Sequence, residues 1–190
     1  MSEALLQERK WNRDEYYSLA AHGYFDNERV ELIHGRIVVM TPMGNEHAVA
    51  MGLVDQALRV VFQPGFWIRI QLPIRLNNFS EPEPDLVVVS GSPRDFKEHP
   101  TTALLVVEVS DTTLQTDRKI KAPLYAAANL PEYWILNLPD KQLEVHRDPQ
   151  PDSNEPGQSR YGQVMTLTNS DAIAPLSAPG GQITISDLLP

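Results

Sequence analysis

Two apolar runs in this sequence each carry a carboxylate where a buried strand tolerates one poorly: Asp85-Leu86-Val87-Val88-Val89 and Leu104-Leu105-Val106-Val107-Glu108-Val109. Downstream, Asp117, Lys121 and Tyr125 recur at a spacing of four, which puts them on one face of a helix. Two carboxylates and a lysine are the minimal side-chain set of a metal-dependent phosphodiesterase. Acids at neighbouring strand ends can share a hard cation such as Mg2+ or Mn2+, which takes oxygen ligands, and the backbone carbonyl of Val109 can complete the protein's share.

Each of these residues also has an ordinary reading. Glu108 shares a strand face with Leu104, Val106 and Ser110, so an unpaired carboxylate there costs several kcal/mol unless the strand end is solvated or a lysine pairs with it. Asp85 follows Pro84 at a strand entrance, where an aspartate often serves only to satisfy backbone N–H groups. Lys121 sits in a run with Arg118 and Lys119 that would suit a solvated surface. Pro123 limits the helix, since an interior proline costs about 3 kcal/mol; the helix is expected either to begin near 119–121 or to kink, with Lys121 early in it. Glu31 and His47 rank lower, as an outward strand residue and a residue of a helix's first turn. A glycine-rich phosphate loop, an HExxH pair, a nucleophile elbow and cysteine are all missing from the sequence.

The elements that must position these groups are read from periodicity and turn chemistry. An amphipathic helix is expected from Trp11 to His22, ended by Gly23, and a hairpin from Val30-Glu31-Leu32-Ile33 and Arg36-Ile37-Val38-Val39-Met40 around His34-Gly35. A helix is expected over 46–62, with Val49, Leu53, Ala57, Val60 and Val61 as its apolar positions. Partial alternation predicts a strand over 66–76. The run 104–109 has the pattern of a strand covered on both faces. Strands over 132–138 and 142–147 join at Pro139-Asp140, residues 148–158 read as a mobile acidic loop, and the tail as short strands. This order indicates one mixed α/β domain over residues 1–190, a central sheet covered by helices. Trp134 and Tyr133 are assigned to the sheet or an interface, with core packing favoured for Trp134.

The 190 residues, 42% hydrophobic and 22% charged, are those of an ordinary globular chain, with neither a bilayer-spanning apolar run nor the plan of a signal peptide. With no cysteine, the expectation is a cytoplasmic protein with no membrane association. The net charge of −9 opposes non-specific nucleic-acid affinity, although local cations can still guide a phosphate backbone.

At Pro84-Asp85, Glu108-Val109-Ser110, Asp117-x-x-x-Lys121-x-x-x-Tyr125 and Leu130-Pro131-Glu132-Tyr133-Trp134-Ile135, the chain resembles the bacterial Uma family of endonuclease-like proteins, which is placed in the restriction-endonuclease-like PD-(D/E)XK superfamily. The similarity runs from about Tyr16 through Val145. It implies a restriction-endonuclease-like core with extra C-terminal strands, and a Mg2+-dependent (or Mn2+-dependent) endonuclease acting on nucleic acid, DNA being expected. Asp85 and Glu108 would be its metal ligands, and dimerisation is common in the superfamily. Ser110 stands where the superfamily motif has its lysine, and the resemblance moves that role to Lys121. Glu31, His47, Ser110, Asp117 and Tyr125 are accessory candidates. The competing expectation is a nuclease-fold binding or interaction module without turnover, which Ser110 and the acidic charge favour.

Overall fold

A computed structural model of the chain describes residues 8–190, so the first seven residues of the expected domain lie outside the described part. In chain order the elements are α1 (Arg13–Ala21), the hairpin β1 (Val30–Ile33) and β2 (Arg36–Val39), α2 (Asn45–Val61), β3 (Phe66–Ile70), β4 (Leu86–Ser90) and β5 (Leu105–Ser110). A helical segment follows, made of α3 (Leu114–Thr116), a π-helical turn (Asp117–Lys121) and α4 (Ala122–Ala127). Then come β6 (Glu132–Asn137), β7 (Gln142–Pro151), β8 (Ser159–Leu167) and the short pair β9 (Ala172–Ile173) and β10 (Ile183–Thr184). No helix among the described residues is long and apolar enough to cross a membrane.

The central sheet has the order β3-β4-β5-β6-β7-β8. Only β5 and β6 run parallel; the other neighbours are antiparallel. A parallel pair needs a crossover, and the helical segment 114–127 provides it. All six residues of β5 are buried, because α2 covers one sheet face and α4 the other. On the first face Ala50, Val54 and Leu58 pack on Ile68, Val88, Leu105 and Val107. On the second, Ala122, Tyr125 and Ala126 pack on Val87, Val106, Tyr133 and Ile135. Trp134 is fully buried in the first cluster, which makes it a core residue.

Local chemistry accounts for the N-terminal elements. Asn12 caps α1 and exchanges hydrogen bonds with Glu15, and the chain leaves the helix through Gly23 at φ +80. His34 and Gly35, with φ of 52 and 80, form the two-residue turn of the β1–β2 hairpin. Leu32 pairs with Glu81, docking that hairpin onto the loop before β4.

Four expectations need correction. The buried stripe of α2 is Ala50, Met51, Val54 and Leu58, whereas Val49 and Val60 are 43% and 73% exposed. Apolar residues surround this helix, so periodicity alone does not choose a face, and contact with the sheet does. β3 stops at Ile70 because Gln71 turns into the left-handed region at φ 48. Part of the expected 148–158 loop is strand, since β7 runs to Pro151 and pairs with β8 from Ser159.

The fourth concerns the helix around Pro123. It begins at Leu114, well before Lys121, and accommodates the proline through a π turn in which Ala122 N–H bonds the carbonyl of Asp117. Pro123 has no N–H to place in a regular ladder, and a widened turn removes the demand for one.

The tail is fixed by one buried carboxylate. Glu132 accepts hydrogen bonds from Trp134 Nε1 at 2.9 Å, Arg147 Nε at 2.9 Å and the Leu176 N–H at 2.7 Å. Ile185 and Leu188 then close over the α2 face of the core.

The two faces of α2 predict opposite outcomes for two substitutions. Leu58→Ala should destabilise the protein by about 2–5 kcal/mol in urea unfolding, and Val60→Ala should stay within about 0.5 kcal/mol of wild type. Equal losses would place the buried stripe elsewhere.

Candidate active site

The register of the sheet brings the two acids together. Leu86 pairs with Val107, so one step beyond that pair Asp85 faces Glu108 across the β4–β5 ladder. The Asp85 N–H points at Glu108 Oε2 from 3.4 Å, and Asp85 Oδ2 accepts the Val109 N–H at 2.8 Å. Glu108 lies on the face shared with Val106, against the crossover helix. From that helix Lys121 Nζ donates to Glu108 Oε1 at 3.0 Å and the Tyr125 hydroxyl donates to the same oxygen at 2.8 Å. The spacing of four from Asp117 through Lys121 to Tyr125 survives the π turn, and all three side chains are buried.

The N-terminal half adds two more candidates. Glu31 on β1 places Oε1 3.5 Å from Lys121 Nζ, while its Oε2 accepts the Glu83 N–H at 3.1 Å. His47, on the same stripe of α2 as Met51 and Val54, brings Nε2 to 3.1 Å from Asp85 Oδ1. That buried nitrogen makes no well-directed hydrogen bond. Asp85, Glu108, Lys121, Glu31 and His47 all line one cleft of about 270 Å3, and Val38, Val39 and Met40 of the hairpin form part of its wall.

Ser110 and Asp117 have a neighbouring role. Asp117 Oδ2 accepts from Ser110 Oγ at 2.6 Å and Thr113 Oγ1 at 2.7 Å, tying the helix to the end of β5. Sequence reasoning missed Thr113 and Gln71, whose Nε2 lies 3.5 Å from Asp85 Oδ1. Thr113, four residues before Asp117, was legible as a helix-entry hydroxyl; Gln71 gave no signal, because its aim depends on a positive φ.

Burial pushes the Glu108 carboxyl up to about 8; the Lys121 ammonium opposes this, and the charges of Asp117, Asp85 and Glu31 add to it. Burial works against the charge on Lys121, but Glu108, Glu31 and Asp117 outweigh it and hold the ammonium above an ordinary lysine. Burial, reinforced by Glu108, keeps Tyr125 a phenol.

Among the described residues no three His, Asp or Glu side chains form a metal cage on their own. The donor set is instead two carboxylates and a carbonyl, and it fits a hard cation. Each carboxylate has one oxygen firmly held, Asp85 Oδ2 by Val109 and Glu108 Oε1 by Lys121 and Tyr125. The other oxygens have only long or poorly directed neighbours. The N–H and C=O of a strand residue point the same way, so the Val109 carbonyl faces the Asp85 side as well. An all-oxygen set is the chemistry that Mg2+ and Mn2+ select.

A mixed sheet that presents an aspartate and a glutamate from adjacent strands, with a lysine from the next crossover helix, defines a nuclease-like domain. The chain belongs to the Uma2 family, described as "Putative restriction endonuclease", whose model matches residues 13–183. Its fold is shared with the crystal structure of a "putative nuclease belonging to DUF820" from Anabaena variabilis. That likeness has a TM-score of 0.67 at 16% identity, over 92% of this chain and 95% of the other. None of the curated proteins matches the chain.

The raised Glu108 predicts a proton held by the folded state and released by the unfolded one between the ordinary carboxyl value of 4.5 and about 8. Its contribution to stability is present below pH 4.5 and is lost as pH rises toward 8. In EDTA, the Glu108 side-chain carbon followed by NMR should titrate near pH 8; titration in the ordinary range near 4.5 would contradict the buried geometry.

Proposed function

We propose that this chain is a divalent-metal-dependent endonuclease that hydrolyses phosphodiester bonds in DNA. The observation that carries this reading is the division of labour on Glu108. One oxygen is fixed by Lys121 and Tyr125, and the other has only the long contact with the Asp85 N–H, at the cleft that Asp85 also lines. Asp85, Glu108 and the Val109 carbonyl would hold Mg2+ or Mn2+, which when bound supplies Lewis acidity to the scissile phosphate and acidifies water.

The protein's own groups do the rest. Lys121, charged throughout the neutral range, stabilises negative charge that develops on the phosphate oxygens. Tyr125 keeps Glu108 in a single orientation, and Glu31 is a second carboxylate partner of Lys121. His47 stands beside Asp85 at the cleft, where it can meet a phosphate oxygen. The cleft shares the acidity of the chain, with Glu31, Glu83, Asp85, Glu108, Asp111 and Asp117 lining it against Lys121 and Arg29, so a bound divalent cation would supply the positive charge that a phosphate needs there. A homodimer, as the family resemblance implies, would use surfaces other than Trp134 and Tyr133, which are core.

Cleavage of supercoiled plasmid and of single-stranded oligonucleotides with Mg2+ or Mn2+ tests the reading. Glu108→Gln and Lys121→Ala should each slow cleavage by about 100-fold or more, the loss typical for removing a group that stabilises developing charge. Calorimetry should show Mn2+ binding that Asp85→Asn abolishes. Cleavage by Glu108→Gln at the wild-type rate would refute the assignment; Asp85-dependent Mn2+ binding without cleavage would favour the non-catalytic module.

A further inference from the structure

A second cleft, of about 490 Å3, opens between β3, α1 and the loop preceding β5. Its wall contains an unusual charge. Arg69 on β3 is 2% exposed, yet among the described residues no carboxylate lies within ion-pair distance of it. Its Nη1 donates to the Pro73 carbonyl at 2.9 Å, Nη2 meets His99 Nδ1 at 3.2 Å, and Nε has no partner. The guanidinium lies 5.0 Å from the Trp67 ring centroid, and burial lowers its pKa. A cation–π contact recovers only a fraction of the cost of dehydrating a charge, and arginine is seldom buried without a counter-ion.

The other charges of this cleft do not supply one. Arg13 Nε is 3.5 Å from Glu81 Oε2, and Arg75 is paired with Glu98. Among the described residues Lys97, exposed at the rim, is paired with no acid, so their side chains leave the cleft an excess of two cations in a chain of net charge −9. The cleft also adjoins the catalytic one. Arg69 pairs in register with Val87, two residues from Asp85. Gln71 and Glu83 line the catalytic cleft, and Leu72 and Glu81 line the second.

We propose that this cleft is a phosphate subsite that receives a backbone phosphate of the nucleic-acid strand next to the scissile bond. Arg69 is the counter-charge and Lys97 its rim partner. A guanidinium fork suits a phosphate, and a strand lying across the catalytic cleft has phosphates to offer at that position. The nucleic-acid source of the phosphate rests on the nuclease reading, whereas the uncompensated charge does not.

The test is binding of a fluorescent oligothymidylate to the Glu108→Gln protein in Mg2+, at several salt concentrations, with Arg69→Gln or Lys97→Ala added. Each addition should weaken binding about tenfold and lower the slope of log K against log salt by about 0.7, the value for one phosphate contact to a single strand. Should Arg69→Gln fail to fold, Lys97→Ala and the Arg69 Nε–H resonance of the Glu108→Gln protein decide; that resonance should move on adding the oligonucleotide. Unchanged affinity and slope for Lys97→Ala, with an unmoved Arg69 resonance, would overturn the proposal. So would a shift on adding inorganic phosphate that the oligonucleotide does not reproduce. Arg69-dependent binding in a protein whose wild type never cleaves would overturn the nuclease reading and leave the subsite. Normal cleavage with binding indifferent to Arg69 and Lys97 would do the reverse.

Discussion

A carboxylate in the middle of a strand covered on both faces is the constraint from which most of this structure follows. Glu108 is buried in β5 between two helical layers, and dehydrating it without partners would cost several kcal/mol. The strand has no donor of its own to offer, so the crossover helix must come close enough for Lys121 and Tyr125 to reach it. That requirement sets the position of the helix on the sheet, and the packing of Tyr125 against Tyr133, with centroids 4.9 Å apart, maintains it. The π turn belongs to the same solution. It lets the chain keep Asp117, Lys121 and Tyr125 facing the sheet while Pro123 sits inside the helix.

Satisfying Glu108 leaves the region as a whole short of positive charge. Glu31 and Glu108 share one lysine, Asp117 adds its charge to theirs, and His47 approaches Asp85 without a well-directed hydrogen bond. Burial raises the Glu108 pKa first and the neighbouring carboxylates add to the rise, so a proton supplies the charge that the protein withholds. On the proposed reading a divalent cation would do so more completely, and Asp85 and Glu108 each keep one loosely held oxygen for it. The remote elements share in the arrangement. The Leu32–Glu81 bridge docks the hairpin that carries Glu31, and the buried stripe of α2 carries His47 at its first turn.

Much of this was legible before the fold. Acids on apolar strands, a lysine and a tyrosine at helical spacing, and a two-residue turn ending in glycine are all local patterns, and each marks a real feature. What the patterns could not convey depends on which of several apolar faces meets the sheet. α2 illustrates the point, because its exposed Val49 and Val60 repeat as regularly as the buried Val54 and Leu58. Choosing the wrong stripe hides the reason His47 points inward, since His47 stands on the row of Met51 and Val54. The same holds for Arg69, which reads as the polar member of an alternating strand and becomes informative only when its burial is known.

The proposed assignment of the motif lysine's role to Lys121 has a mechanical basis in the contacts of Ser110. A lysine at position 110 would extend along β5 toward the site, and Ser110 cannot replace its charge. Ser110 instead donates to Asp117 at 2.6 Å, as does Thr113 at 2.7 Å, and Asp117 is four residues before Lys121 on the buried side of the helix. On the proposed reading, the residue at the place of the motif lysine therefore anchors the turn that carries Lys121. A lysine reaching in from a helix has more freedom to miss than one built into a strand, and fixing Asp117 from two hydroxyls removes part of that freedom. Ser110, Asp117 and Lys121 thus act together, with Asp117 fixing the turn and Glu108 and Glu31 holding the ammonium at its end.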